Sequence, residues 1–420
     1  MAVQTTISFV EPETFQPAGS SCGRNNFPLV DHSAMLSRPS STHVTNGGLH
    51  SRWRMLTSHA QRSLLLVVAA LLLASLSRAQ DPSPGFDDLA RQAAAARDQQ
   101  NIPLATELYG KALQLNPNWA EGWWNLGLIN YTVDLYPQAI DALNHLLMLD
   151  PHAVPALAIR GLSEFDTGDY TGSLKDLELA MQHGAANDKD HEQILRYHLG
   201  LLLTRAGRYW DALSQYRTLA GEHFDSPDFE VALGLAGMRI PSLPADLNAH
   251  DTELAGALGK AAYAFLVDDS DAADAQFNDL FARYPTAPNL HYFYGFLLFP
   301  HDREMAVDQF QKEIAIDPSN QLATGLLAFT LMYVGRYKDA IPVAQRALAA
   351  EPGMQTAQIA LARSLIETGD EQHGIEILNQ VLARDSKNLE AHMGLAAAYS
   401  LDGRKEDALR ERMVCLALGK

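Results

Sequence analysis

Histidines and clustered carboxylates are the side chains here that could ligate a metal or move a proton, and their spacing decides against both. His191 and Glu192 open the pattern of a helical zinc site, in which a second histidine must follow closely enough to share the ion. The next one on that stretch is His198. At about 1.5 Å of rise per residue, the two rings would stand roughly 10 Å apart along a helix. Ordinary surface or core histidines are expected instead. Asp268, Asp269, Asp271 and Asp274 have the composition of a calcium loop but lack its sixth-place glycine and closing glutamate, so they read as a solvated turn. Cys22 and Cys415 stand at opposite ends of the chain and support neither a disulfide framework nor a thiolate cluster. Cys415 falls on the inner face of the last expected helix and reads as a structural thiol. His291, Tyr292, Phe293, Tyr294 and Phe296 form the densest aromatic cluster, and helical spacing makes it packing rather than a cofactor box. No phosphate-cradling glycine loop, nucleophile elbow or haem-attachment motif occurs. No catalytic residue, metal ligand or cofactor is therefore assigned, and the chain is expected not to be an enzyme.

What the chain offers instead is a scaffold. Within Ala120 to Ala153, Trp123, Leu126, Gly127 and Asn130 recur at three-and-four spacing and line one face of a helix. A second helix starts near Pro137 and repeats Ala139, Leu143, Leu146 and Leu147 until Pro151 stops it. Gly127 and Ala139 are small, which lets two helix axes approach near the short end of the roughly 8–10 Å range. The two helices should therefore close as a hairpin.

Trp123-x2-Leu126-Gly127, then Ala139, then Pro151, resembles the tetratricopeptide repeat. Tyr131 follows the family's tyrosine position by one, and Leu143 stands where an aromatic is usual. The resemblance implies an all-α fold: an α-solenoid, coiled as a right-handed superhelix, of helix-turn-helix repeats. Units align at 86–119, 120–153, 154–187, 193–226, 254–287, 288–320, 321–354, 355–388 and 389–420. Their eighth and twentieth positions are all small: Ala93 and Ala105, Gly127 and Ala139, Gly161 and Ser173, Gly200 and Ala212, Ala261 and Ala273, Gly295 and Ala306, Ala328 and Ala340, Ala362 and Gly374, Ala396 and Ala408. Gly295 and Ala306 are one residue closer than the others, which predicts a shortened turn. Aromatics recur at position 24 (Tyr109, Tyr216, Phe277, Phe310), and Pro117, Pro151, Pro285, Pro318 and Pro352 recur as helix stops. Gly168, Gly207 and Gly335 sit between helices, where positive φ is needed.

The domain organisation follows. Units 86–226 form one array of four repeats and 254–420 another of five. Between them, 227–253 holds one helix, Asp228 to Met238, then Pro241 and Pro244; it is either a decayed repeat or, by preference, a joint that few contacts cross. The final helix, with Arg404, Lys405, Glu406, Asp407, Arg410, Glu411 and Arg412, reads as a polar terminal cap.

Upstream, residues 1–54 are rich in Ser, Thr, Pro, Gly and Asn and are expected to lack packed structure. Met55 is a plausible true start. Arg52, Arg54 and Arg62 precede the apolar run Leu64 to Leu76, and Ser77-Arg78-Ala79 supplies the small residues of a secretory cleavage site. That run falls short of the roughly 20 residues that span a bilayer. Cleavage near Ala79 and a periplasmic or secreted protein are expected, with an uncleaved single-pass anchor organising an envelope complex as the alternative.

Charge narrows the partner. The chain carries 32 basic and 50 acidic residues, and without residues 1–79, which hold six arginines and three acids, 26 face 47. Nucleic acid is not expected, since binding phosphates needs a basic face. The resemblance implies a concave surface lined by the first helices, at positions 2, 5, 9 and 12. Here these include Trp124, Leu128 and Tyr131; Leu162 and Phe165; Tyr197 and Leu201; Phe265; Tyr292, Phe296 and Phe299; and Phe329 and Met332. Such a groove suits an apolar or aromatic peptide of an unidentified protein partner. The competing account packs these side chains between units. The lysine and asparagine that would clamp an acidic chain terminus are absent at positions 5 and 9.

Overall fold

The computed structural model describes residues 84–184 and 189–419, and among them every regular element is helical. Nine two-helix hairpins and one extra helix account for the described chain. The hairpins are α1 (Phe86–Asp98) with α2 (Ile102–Leu115), α3 (Ala120–Thr132) with α4 (Tyr136–Leu149), and α5 (Val154–Thr167) with α6 (Tyr170–Gln182). Next comes α7 (Lys189–Arg205) with α8 (Tyr209–Gly221), then the lone α9 (Pro227–Met238). The series continues with α10 (Ala249–Leu266) and α11 (Ser270–Arg283), α12 (Leu290–Leu298) and α13 (Arg303–Ile316), and α14 (Gln321–Tyr333) and α15 (Tyr337–Ala350). It ends with α16 (Gln355–Glu367) and α17 (Glu371–Arg384), then α18 (Leu389–Leu401) and α19 (Lys405–Leu418). The 1–54 segment, Cys22, the apolar run and its cleavage site lie outside the described residues. No described helix is long and apolar enough to cross a membrane.

Local chemistry sets the helix boundaries. The five prolines expected as stops each fall two residues beyond the end of α2, α4, α11, α13 or α15. Asn101, Asp169, Asp269 and Asp302 cap second helices by accepting a backbone N–H of the first turn. Gly168, Gly207 and Gly335 take φ of 85°, 75° and 78°, and Asp134 (60°) and Asp268 (62°) hold the same turn position in their units. In the 288–320 unit α12 is only 9 residues long and the turn passes directly through His301 and Asp302, which is the shortening that the spacing predicts.

All eighteen small positions are buried. The reason is more specific than close backbones. A Cβ on Gly127 would lie 2.8 Å from the Leu143 side chain, one on Gly161 2.8 Å from Leu177, and one on Gly295 2.9 Å from Phe310. Position 8 is therefore the socket for the large side chain at position 24. Position 20 is where backbones meet: the Ser173 hydroxyl donates to the Gly161 carbonyl at 2.7 Å, and a Cβ on Gly374 would sit 2.5 Å from the Ala362 carbonyl oxygen.

The chain divides into two compact units that part inside α7, between Leu195 and Arg196. In the first, α1 to α6 stack hairpin on hairpin, through α2 on α3 and α4 on α5. Arg160 joins α5 to α6 by a bidentate pair with buried Asp176 (2.6 and 2.9 Å) and reaches Asn144 of α4 at 2.7 Å. In the second, α13 on α14, α15 on α16 and α17 on α18 stack in the same way, and α11 meets α12 through Phe277 on Tyr294 and Phe281 on His291.

The 227–253 stretch is not a joint. Nine consecutive-to-near-consecutive residues of α9, Phe229 and Val231 through Met238, are buried, and the helix packs on α8, α10 and α12. It is hydrophobic all round because it is enclosed all round. Helix α19 and its N-cap residue expose Leu409, Met413 and Leu416 as well as the charged residues Arg404, Lys405, Glu406, Arg410 and Arg412, so this outer surface is mixed rather than wholly polar.

Candidate partner-binding surface

The side chains expected to line one groove divide into two groups. Trp124, Leu128, Leu162, Leu201, Tyr292, Phe299, Phe329 and Met332 are buried. These pack between helices and offer almost no area to a partner in this arrangement. Tyr131, Phe165, Tyr197, Phe265 and Phe296 keep part of their surface. Of these, Tyr131, Phe165 and Phe265 stand at position 12, Tyr197 at position 5 and Phe296 at position 9, while Phe299 and Met332, also at position 12, are buried, so exposure follows the local neighbours rather than the repeat position.

In the first unit, Tyr131 and Phe165 occupy position 12 of successive hairpins. Each meets the tyrosine that opens the following helix: Tyr131 lies 6.0 Å from Tyr136, and Phe165 lies 5.5 Å from Tyr170 at 72°. Carboxylates surround the rings. Tyr136 donates its hydroxyl to Asp134 at 2.7 Å. Burial pushes the Tyr131 hydroxyl up to about 12, helped by the negative charges of Asp166 and Asp134. Glu164, whose side chain is 12% exposed, lies beside Asp176 and 3.7 Å from Arg160. Burial first, and Asp176 second, raise its carboxyl to about 7. The patch is thus aromatic and strongly acidic.

The titration of Glu164 has a signed consequence. Its folded value lies above the ordinary one of 4.5, so the native state holds this proton more tightly than the unfolded chain does. The resulting stability is fully present below the unfolded value and is lost as pH rises through about 7. Wild type is expected to lose about 2–3 kcal/mol more across that window than Glu164→Gln. Urea unfolding of both proteins at several pH values measures the difference, and equal slopes would refute it.

The second unit holds a different arrangement. Phe299 and Phe329 stack at 5.8 Å beneath Tyr333, which the sequence pattern did not single out because it sits at position 13. Arg303 and Arg363 lie over the Tyr333 ring at 5.1 and 5.3 Å. Glu390 closes the cluster, accepting from the Tyr333 hydroxyl at 2.5 Å and from Arg363 at 2.9 Å. Phe296 meets Trp210 edge-on at 4.5 Å, and Trp210 is 41% exposed. Phe265 lies 5.6 Å from His301, and Tyr197 lies 5.8 Å from Phe224.

The histidines, carboxylates and thiol that could do chemistry have structural duties. His291 stacks on Phe281 at 3.9 Å, with Nδ1 2.6 Å from Gln309, and burial lowers its pKa. Phe293 is buried and Tyr294 stacks on Phe277 at 4.0 Å. Asp269 caps α11, and Asp274 accepts the Tyr294 hydroxyl at 2.6 Å. Cys415 is half-buried, and burial with Glu411 nearby raises its thiol. Among the described residues no group of three or more His, Cys, Asp or Glu is placed to hold a metal ion. A surface hollow in the first unit, lined by Gly110, Leu126, Leu135 and Pro137 among others, opens between α2 and α4, away from the expected groove.

Family models agree with the helical repeat over the last hairpins. Residues 331–379 and 359–411 match two family models, both described as tetratricopeptide repeat. The TPR repeat-containing protein MJ1428 of Methanocaldococcus jannaschii is 27% identical over 131 residues, covering 31% of this chain and 22% of the relative. The match thus spans about a fifth of that relative's length. Among solved structures, a tetratricopeptide repeat protein from Parabacteroides merdae is similar at 15% identity and a TM-score of 0.31, over 67% of this chain and 98% of that one. The Cut9–Hcn1 hetero-tetramer of the APC/C is similar at 16% identity and a TM-score of 0.34, over 84% of this chain and 68% of that one.

Proposed function

We propose that this tetratricopeptide repeat protein is a non-catalytic scaffold whose first unit captures a basic segment of a partner protein. The observation that carries this reading is the acidic aromatic patch: Tyr131 with Tyr136 and Phe165 with Tyr170, and the charges of Asp134 and Asp166 beside Tyr131 and Tyr136. Aromatic faces attract arginine and lysine, and carboxylates beside them supply the paired charge. The apolar groove expected from sequence contracts to these edge positions, and its preferred ligand changes from apolar to cationic.

Phe165→Ala combined with Asp166→Asn is expected to weaken binding of an arginine-rich peptide about 10-fold or more, with the loss growing less marked at high salt. Fluorescence anisotropy with such a peptide and with its glutamate-substituted counterpart tests this. Equal binding of the two peptides would overturn the reading.

The proposed place of action is the cell envelope, on the strength of the Arg52–Ala79 signal in the sequence. A mature chain beginning near Gln80 in the soluble envelope fraction is the expected result of N-terminal sequencing. A chain that keeps Leu64–Leu76 and resists a high-salt wash would instead mark the anchored form.

A further inference from the structure

Two guanidiniums share one ring in the 196–420 unit, and only one of them has a carboxylate. Arg303 and Arg363 lie over Tyr333 at 5.1 and 5.3 Å, and Arg303 also lies over Phe299 at 5.6 Å. Arg363 donates to Glu390 at 2.9 Å, and the Tyr333 hydroxyl donates to the same carboxylate at 2.5 Å. On that side of the cluster the arrangement is complete: aromatic surface holds the cation, and a carboxylate takes its N–H donors. On the Arg303 side it stops halfway. Among the described residues Arg303 makes no hydrogen bond or ion pair, and its Nε is buried without a partner. Asp302, next to it in the chain, accepts from the Met305 amide at 3.0 Å, and Glu304 is exposed. A guanidinium carries five N–H donors in a fixed fork, and stacking on an aromatic ring uses the face of the group and leaves that edge unspent.

We propose that Arg303 anchors a second binding site, which takes one carboxylate side chain from an acidic segment of a protein partner. The charge count decides for a single negative charge. Two guanidiniums and one carboxylate make up the cluster, so one further carboxylate neutralises it, and the Arg363–Glu390 pair is the same contact made within the chain. Denser anions are disfavoured, because 50 acidic residues face 32 basic ones over the whole chain and Glu390 stands inside the cluster itself. Solvent reaches the site. Arg303 and Tyr333 are half-buried, and the Arg363 and Glu390 side chains are 26% and 18% exposed. Phe299 and Phe329 are buried against Tyr333 and fix the ring, so Arg303 is held before a partner arrives and less ordering is left for binding to do. The ligand is opposite in charge to the one proposed for the first unit, and either site can be lost without the other.

Fluorescence anisotropy of the full chain with a labelled glutamate-rich peptide, its C-terminus amidated, tests the site. Wild type and the Phe165→Ala, Asp166→Asn variant are expected to bind this peptide alike and to bind its glutamine-substituted counterpart far more weakly. Arg303→Gln should raise the Kd at least about 10-fold and lower the melting midpoint by no more than about 4 °C, since only stacking on the rings is lost. The same variant should keep the full affinity for an arginine-rich peptide, which isolates the first unit. Acetate should displace the peptide, and inorganic phosphate at matched ionic strength should displace it no better. Equal binding of the glutamate and glutamine peptides, an Arg303→Gln chain that binds as wild type does, binding that requires a free C-terminus, or displacement by phosphate at a tenth of the acetate concentration would each overturn the proposal.

Discussion

Gly259→Ala is expected to lower the stability of the 196–420 unit by about 3 kcal/mol or more and its melting midpoint by roughly 6–12 °C. A methyl group there would overlap the carbonyl oxygen of Glu230, which is backbone and cannot rotate away. Gly234 has the reciprocal problem with the carbonyl of Ala255. These two glycines mark a crossing at which α9 and α10 touch main chain to main chain. Adding one carbon forces the helices apart and opens α9 from Phe229 to Met238, the most enclosed helix of the unit. Gly256, three residues earlier, supplies the control. A Cβ there meets only the Val231 side chain at 3.4 Å, so Gly256→Ala should be neutral or stabilising, by up to about 1 kcal/mol from helix propensity. Circular-dichroism melts of the three proteins decide the matter, and equal midpoints for the two variants would refute the crossing.

This crossing shows where sequence reading stopped. Regular repeats were legible because every unit carries small residues at positions 8 and 20, five carry a proline beyond the second helix, and three carry a glycine in the turn, Gly168, Gly207 and Gly335. Those signals are local and recur at constant spacing, and all nine hairpins follow from them. Helix α9 has no such register. Pro241 and Pro244 after it look like the punctuation of a linker, and the small residues that fit it against α10, Gly234 and Gly259, are separated by a stretch that fits neither template. Only their contact across that stretch reveals a core helix.

The candidate site was legible in type more than in position. An aromatic groove on the first helices was expected, and most of its residues are consumed by packing between hairpins, since sequence spacing gives a direction around a helix and not the depth of a neighbour. Charge around Tyr131 and Phe165 was visible only as composition. Asp134 and Asp166 belong to two hairpins, and stacking is what gathers them beside Tyr131 and Tyr136.

A glutamate that looks like surface charge in the sequence supports the second-largest expectation. Glu313 stands beside Gln311 and Lys312 in a polar run, yet its side chain is fully buried. It accepts from the backbone N–H of Asn289 at 2.7 Å, that of Tyr292 at 3.1 Å and Nδ2 of Asn320 at 3.2 Å. One carboxylate thereby caps α12, whose own N-cap residue, Asn289, is held left-handed at φ 67° and makes no side-chain cap. Asn289 in turn donates to the Met238 carbonyl at 3.0 Å and accepts from Asn320 at 3.0 Å, which ties the end of α9 to α12 and α14. Removing the carboxylate would orphan two buried amides, each costing about 1–3 kcal/mol, so Glu313→Ala is expected to destabilise by roughly 4 kcal/mol. Glu313→Gln should cost about half as much, because its oxygen can satisfy one amide while its NH2 opposes the other. Glu304→Ala, on the exposed side of the same helix, should stay within about 0.5 kcal/mol of wild type. Urea unfolding gives the ranking, and hydrogen exchange at Tyr292 identifies its cause: the amide should exchange faster in the alanine variant even under fully native conditions. An alanine variant as stable as Glu304→Ala, or one with the Tyr292 amide still protected, would show that the cap does not hold the helix.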